Sequence, residues 1–453
     1  MLPDYIAKAV PNPVGKRAPW YANTAPSYAG IFLWIAFYKS IAASTITHGG
    51  LGLCLVSLVI AGFLCYALYY LAPAMLGMKT GLPLYVIGSS TFGVKGGYVM
   101  PGLLMGLLQV GWFAVATFVA ADFILKGLGV DSRPDSLPFV IAGVLWGAVF
   151  SWVGAKGIQY VAKISLLLSV IPLLMLLVVF FQTAGGISQY QVPAGHENPY
   201  GAFTAMLAIV IGFFATAGAA GADFGMNSRN ASDVRWGGLV GITIASLIAG
   251  GLALLSVAGT HGARPGTTGF DYDNAIQVVG GPIATVMFFL FALASIPATC
   301  FCIFIAGNSF ATMIPGVPRV ASSMAAGAVG IVLAVTGLAA NLASFFTIVG
   351  ASFGPICGAM AADYLLSGKR WSGPRKGINF AGYGAWAIGF LVGILPFLPL
   401  PADLQRYVEP AVLYSFITGF VVYVALAKGG LQPKVIETLW PVVGSGDAPQ
   451  SVS

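Results

Sequence analysis

Twelve stretches of this chain run for about 20 residues with almost no charge, each long enough to cross a bilayer as a helix. They lie near 27–48, 51–76, 98–125, 136–155, 160–182, 201–221, 236–259, 281–306, 320–338, 342–366, 378–397 and 409–427. Inside hydrocarbon no water satisfies a peptide group, so such runs must bond internally. Of 453 residues, 58% are hydrophobic and only 8% charged, against about 25% charged in soluble domains. A soluble enzyme is excluded, and the chain reads as an all-α membrane protein. The first run follows a polar, proline-containing tail without a cleavage site, so it is not a removable signal peptide.

The net charge of +7 is distributed unevenly. With the N-terminus inside, sixteen Lys and Arg residues fall on the inner side, among them Lys16, Arg17, Lys163, Arg375 and Lys434. The outer side receives only Lys126, Arg133, Arg264 and Arg406. This positive-inside bias predicts that both termini are cytoplasmic. No basic stripe interleaved with aromatics lies outside the spans, which argues against nucleic acid as a partner. Linkers of at most about 20 residues leave no room for a soluble domain. The outer loops 185–200 and 261–280 read as solvated connections, and His48, His196 and His261 as ordinary surface residues. Asp122 and Lys126, four apart at the outer end of span 3, read as a surface ion pair. All five cysteines fall within spans and read as small hydrophobes, with no metal site and no cofactor implied.

Lys39 departs from this pattern. It is the only basic residue deep within a span, roughly 18 Å from the start of the first helix at 1.5 Å per residue. A buried ammonium is costly without a polar partner, so an intramembrane lysine is a functional hypothesis by default. Two other spans carry interruptions. Gly212, Gly218 and Gly221 crowd the end of span 6, where small residues permit close packing or unwinding. Pro297 interrupts span 8 and frees a carbonyl one turn earlier, near Leu293.

Four stretches, in order, resemble the nucleobase–cation symporter family, in particular its bacterial cytosine-permease branch. They are Ser90-Thr-Phe-Gly-Val-Lys-Gly-Gly, Leu108-Gln-Val-Gly-Trp-Phe, Gly218-Ala-Ala-Gly-Ala-Asp-Phe and Gly354-Pro-Ile-Cys-Gly-Ala-Met-Ala-Ala-Asp-Tyr-Leu. The resemblance implies twelve transmembrane helices in a LeuT-like 5+5 inverted repeat with two peripheral helices. A cytoplasmic tail (1–26) would precede the first repeat (27–182) and the second (201–366). Peripheral spans (378–427) and a C-terminal cytoplasmic tail (428–453), disordered at its end, would follow. It also implies a bacterial cytoplasmic membrane and a monomer that works by alternating access on a small planar substrate.

Gln109 and Trp112 are three apart and share a helix face. A carboxamide pairs with the edge of a lactam or amidine, and an indole stacks on its plane. The resemblance places both in the pocket, with Phe214 as the facing aromatic and Thr216 as a small hydroxyl. Ala217, Thr299, Phe37 and Ser40 complete the expected lining. Asp223 and Asp363 are read as helix-end or gating residues at the inner face.

Sodium-coupled members hold Na⁺ between span 1 carbonyls and side-chain oxygens of span 8. Here those positions carry Ala294, Pro297 and Ala298, which offer none, although a hard cation wants several oxygens. A shift by one residue would bring in Ser295 or Thr299. Lys39 is therefore read as a replacement for the sodium ion, donating to the same carbonyls, in Na⁺-independent transport that is proton-coupled or uncoupled. The alternatives are a conventional Na⁺ symporter, a hydantoin- or allantoin-type ureide or vitamin precursor as substrate, and an anionic heterocycle paired with Lys39. A membrane enzyme would need carboxylate pairs or histidine clusters at depth, and a channel a charged ring; the spans supply neither.

Overall fold

A computed structural model describes residues 2–156, 158–405 and 407–437. Arg406, the side chain of Lys163 and the expected disordered end of the tail (438–453) lie outside the described residues. The described residues form helices without named strands, joined by two isolated bridges. Among them, nine segments are long and apolar enough to cross a membrane, with two shorter apolar helices at Arg319–Val335 and Phe380–Gly393. One of the nine, Ile41–Thr80, joins the end of span 1 to span 2, because Gly50 (φ 70°, ψ 166°) breaks it inside a merged helix. Counting span 1 separately, the order is consistent with twelve spans.

Local chemistry sets the ends. Gly81 and Gly129 adopt left-handed conformations just after Thr80 and Leu128, the positions where a Cβ would be penalised. Span 6 (Pro199–Ala219) starts with proline in its first turn and Asn198 accepting from the Gly201 amide.

Span 1 is discontinuous. Its helix Thr24–Phe32 stops, Ile35 takes φ 63°, and helix resumes at Ala36–Lys39. A β-branched residue rarely holds that conformation, so packing on both sides must impose it. Span 8 (Gly281–Met313) breaks at Ser295, two residues before Pro297, as the missing amide requires. Span 6 behaves differently from its sequence reading. It stays helical past Gly212 and Gly218 and turns only at Ala220, just past its C-terminal end, before the short helix Gly221–Gly225. Its glycines serve packing: a Cβ on Gly212 would strike the Phe346 carbonyl, and one on Gly218 would strike Tyr69.

Two bodies result. Spans 1, 2, 6 and 7 (Ala231–Ala263) pack on one another, as do span 3 (Gly96–Leu128), span 4 (Leu137–Lys156), span 8 and span 9. Span 10 (Leu342–Leu366) lies against span 6, and spans 11 (Phe380–Gly393) and 12 (Ala411–Lys428) cover its outer flank as a peripheral pair. The described N-terminal tail and the C-terminal segment up to Glu437 lie at one end. The N-terminal tail is ordered there, with Tyr5 donating to the Val94 carbonyl (2.9 Å) and Asn12 to Asn227 (2.8 Å). The bridge between Arg375 and Val435 fixes the C-terminal segment to the same surface.

At the opposite end, the loop between spans 7 and 8 is not a loose connection. It contains a helix, Tyr272–Val279, with Tyr272, Asp273, Ala275 and Ile276 buried. His261 is buried too: it stacks on Phe270 at 3.9 Å and bonds to the Gly269 carbonyl. This cap helix contacts spans 5, 7 and 8 and the resumed part of span 1.

Candidate functional site

Between the two bodies, aromatic rings from spans 6 and 10 converge on Trp112 of span 3. Its indole nitrogen donates to the Thr216 hydroxyl at 3.2 Å, tying span 3 to span 6. Phe213 meets it edge-on at 5.0 Å, Phe345 edge-on at 5.1 Å, and Phe346 lies at 5.6 Å inclined by 32°. Phe37, just past the break in span 1, reaches this cluster through Phe213 at 6.0 Å. Gln109, one turn before Trp112, is buried, and its amide nitrogen meets the Met105 sulfur at 3.6 Å. A thioether is a poor acceptor, so a better hydrogen-bonding partner for this carboxamide would be favoured.

Trp112, Thr216 and Phe37 are thus brought together as expected. Phe214 is not among them. It stacks on Phe32 at 5.4 Å and meets Tyr28 at 5.6 Å. Helical phase explains the correction: Thr216 faces Trp112, and the residue sharing its face is three back, at Phe213. Ala217 is half-buried and its carbonyl accepts from Tyr28 (2.9 Å). Ser40 is half-buried, with its amide donating to the Ala36 carbonyl. Thr299 is fully buried, and its hydroxyl donates to the Ser295 carbonyl (2.9 Å). Phe345 and Phe346 carried no signal in the sequence, where a phenylalanine pair in a span reads as lipid-facing.

At the span 8 break, Ala294, Pro297 and Ala298 bring no side-chain oxygen. The Ser295 hydroxyl proton goes to the Ala292 carbonyl at 2.7 Å. The described residues contain no cluster of three or more His, Cys, Asp or Glu able to hold a metal.

Lys39 finds acceptors other than those expected. Its ammonium bonds to Asp122 of span 3 and to Asp273 of the cap helix, the latter at 2.6 Å, instead of to backbone carbonyls of spans 1 and 8. The reason is position: Lys39 lies one turn past the break, where its ammonium reaches span 3 and sits over the Phe123 ring, 4.8 Å from its centroid. Two carboxylates make stronger partners than carbonyl dipoles. Lys126 bonds to both, reaching Asp122 at 3.1 Å, so the expected surface pair is half of a buried four-charge network. Asp122 and Asp273 keep 8% and 5% of their side-chain surface, Lys126 29%. Burial pushes the Asp273 carboxyl up, but the Lys39 and Lys126 charges outweigh it and hold it below the usual range. The cap helix that carries Asp273 did leave a signal: Tyr272, Ala275, Ile276 and Val279 fall at i, i+3, i+4 and i+7, the signature of an amphipathic helix.

The end carrying the termini has its own buried charges. Asp363, at the end of span 10, accepts from Ser90 (2.7 Å) and Thr91 (3.3 Å) and pairs with Arg375 at 3.4 Å. Arg375 also donates to the Ser90 carbonyl (2.9 Å). Asp223, beyond the C-terminal end of span 6, accepts from the Leu84 amide at 3.1 Å, and burial pushes its carboxyl up to about 6.

A family model described as "Permease for cytosine/purines, uracil, thiamine, allantoin" matches residues 11–421. The cytosine permease of Escherichia coli (strain K12) is 28% identical over 342 residues, spanning 74% of this chain and 77% of that protein. Among solved structures, the inward-facing conformation of Mhp1 superposes with a TM-score of 0.72 at 17% identity, covering 95% of both chains. Mhp1, a nucleobase-cation-symport-1 family transporter, in a closed conformation with bromovinylhydantoin bound gives 0.67 at 18%, covering 93% of this chain and 95% of that one. A Na⁺-coupled sialic acid symporter gives 0.61 at 13%, covering 96% and 93%.

Proposed function

Because the chain belongs to the family of permeases for cytosine/purines, uracil, thiamine and allantoin, we propose that it imports a nucleobase or similar flat nitrogen heterocycle by alternating access. The family is one of multi-pass membrane permeases, not enzymes, and the substrate is a small molecule of nucleobase type. The observation that carries the finer reading is the Trp112 cluster with Gln109 one turn below it. An indole fixed by Thr216 offers a stacking face, Phe213 and Phe346 wall the slot, and the Gln109 carboxamide pairs with the heterocycle edge. Its rings touch at 5.0–5.8 Å, so a ligand lying flat on Trp112 displaces Phe346.

We assign transport no sodium ion, since the span 8 positions lack oxygens, and give Lys39 the part of a fixed internal cation, with proton-coupled and uncoupled transport as the remaining choices. An anionic substrate pairing with Lys39 loses support, because that ammonium already holds two carboxylates. Both termini belong on the cytoplasmic side of the bacterial inner membrane, residues 27–182 and 201–366 form the two repeats, and the monomer is the working unit. A hydantoin-type ring is the second reading, favoured by the likeness to the bromovinylhydantoin-bound transporter.

Competition of radiolabelled cytosine uptake by a panel of bases, hydantoins and ureides tests the assignment. Effective competition by flat rings bearing adjacent N–H and C=O groups, lost in Gln109→Leu, is the expected result. Uptake indifferent to every planar heterocycle contradicts it.

A further inference from the structure

Lys39, Asp122, Lys126 and Asp273 come from three elements: the resumed part of span 1, the far end of span 3, and the cap helix. Span 1 belongs to one packed body and span 3 to the other, so the Lys39–Asp122 bond crosses the seam between them. Asp273 extends the crossing to the cap helix, whose Tyr272 also packs on Tyr38 at 5.3 Å. Val119, between Trp112 and Asp122 on span 3, is 1% exposed beneath the network.

We propose that these four residues form a reversible latch that closes the seam on the side away from the termini, with Lys39 as the leaving charge and Lys126 as the cation that stays. This rests on transport by alternating exposure. The chemistry lies in the count. Two carboxylates share two ammonium groups when the seam is shut. When span 1 moves away it takes Lys39, and Lys126, held on span 3 four residues from Asp122, still answers both acids. Leaving a buried carboxylate without any cation would be prohibitive, so the second lysine is what lets the bond open. Lys126 is also the more exposed of the two, with room to follow the carboxylates as the seam fills with water.

The arrangement makes an unusual prediction of sign: the two lysines, bonded to the same carboxylates, oppose each other. Removing Lys39 abolishes the crossing bond and favours the open seam. Removing Lys126 leaves both carboxylates dependent on Lys39 and favours the shut one.

The test is labelling of Val119→Cys in the full chain, in cells, by a membrane-impermeant maleimide, with the native chain as background. Lys39→Met is expected to speed labelling at least about fivefold, Lys126→Met to slow it at least about threefold, and Lys39→Arg to leave it near the parent rate. Both lysine substitutions shifting labelling in the same direction, or Lys39→Met leaving it unchanged, overturns the latch. Should Lys39→Met fail to reach the membrane, Lys126→Met decides alone, since an equal or faster rate refutes the proposal. The readout is accessibility, not uptake, so a wrong substrate assignment leaves it interpretable.

Discussion

The two ends of this molecule bury charge in opposite ways. On the side away from the termini, two acids share two lysines drawn from parts that pack separately. On the side of the termini, one acid, Asp363, is held by one arginine and two hydroxyls from neighbouring loops and helix ends. In the first network each acid touches two cations, and the contacts cross the seam between bodies. In the second the acid touches one, and Arg375 is pinned in addition by the Ser90 carbonyl and by backbone pairing around Val94. Shared cations suit a contact that is made and broken, whereas a single saturated pair suits a permanent joint.

The sharpest way to break this comparison is to remove one cation at each end. Arg375→Met strands Asp363 in a buried setting, with an expected loss of about 3–5 kcal/mol on unfolding. Lys39→Met should cost less, because Lys126, itself partly exposed, still bonds to both carboxylates. Unfolding followed by denaturant or heat in detergent separates the two, and equal losses would erase the distinction.

Next in size come the rings. Trp112→Ala should weaken substrate binding roughly 10- to 100-fold, matching about 1–3 kcal/mol per stacked base. Phe213→Leu should weaken binding more than Phe214→Leu, because only Phe213 touches Trp112. Isothermal or scintillation-proximity binding to each variant measures the order, and the reverse order would return Phe214 to the slot.

The smallest effect concerns Asp223. Its carboxyl is raised by burial to about 6 in the folded chain, above its ordinary value of 3.8, so the fold favours the protonated form. The stability this gives is fully present below about pH 4 and is lost as pH rises through about 6. The thermal midpoint of the native chain should therefore fall by a few degrees between pH 5 and pH 7, and Asp223→Asn should flatten that fall. An unchanged slope in the variant would assign the pH dependence elsewhere.

Much of this was legible in the sequence, for physical reasons that also mark where legibility stopped. Apolar runs announce spans because hydrocarbon forces helices, and Pro297 announced the span 8 break because it cannot donate. Gln109 and Trp112 stood out by motif and spacing and Thr216 by the family resemblance, and the structure joins Trp112 to Thr216. Phe214 failed by one residue, since a family position does not fix helical phase while the Trp112–Thr216 bond does. The glycines of span 6 admit either unwinding or close packing, and only the neighbours Phe346 and Tyr69 decide for packing. Lys39 drew attention at once, but its partners lie 83 and 234 residues away, a separation no local pattern reveals.

The central proposal is a flat-ring site that needs no dissolved sodium ion, because Ala294, Pro297 and Ala298 at the span 8 break bring no side-chain oxygen. Equilibrium binding of the preferred heterocycle to purified protein, in sodium chloride and in choline chloride at equal ionic strength, tests it most directly. The account predicts dissociation constants that agree within about twofold, well under the tenfold that 1.4 kcal/mol of ion coupling would produce. Affinity that rises steeply with sodium would contradict it.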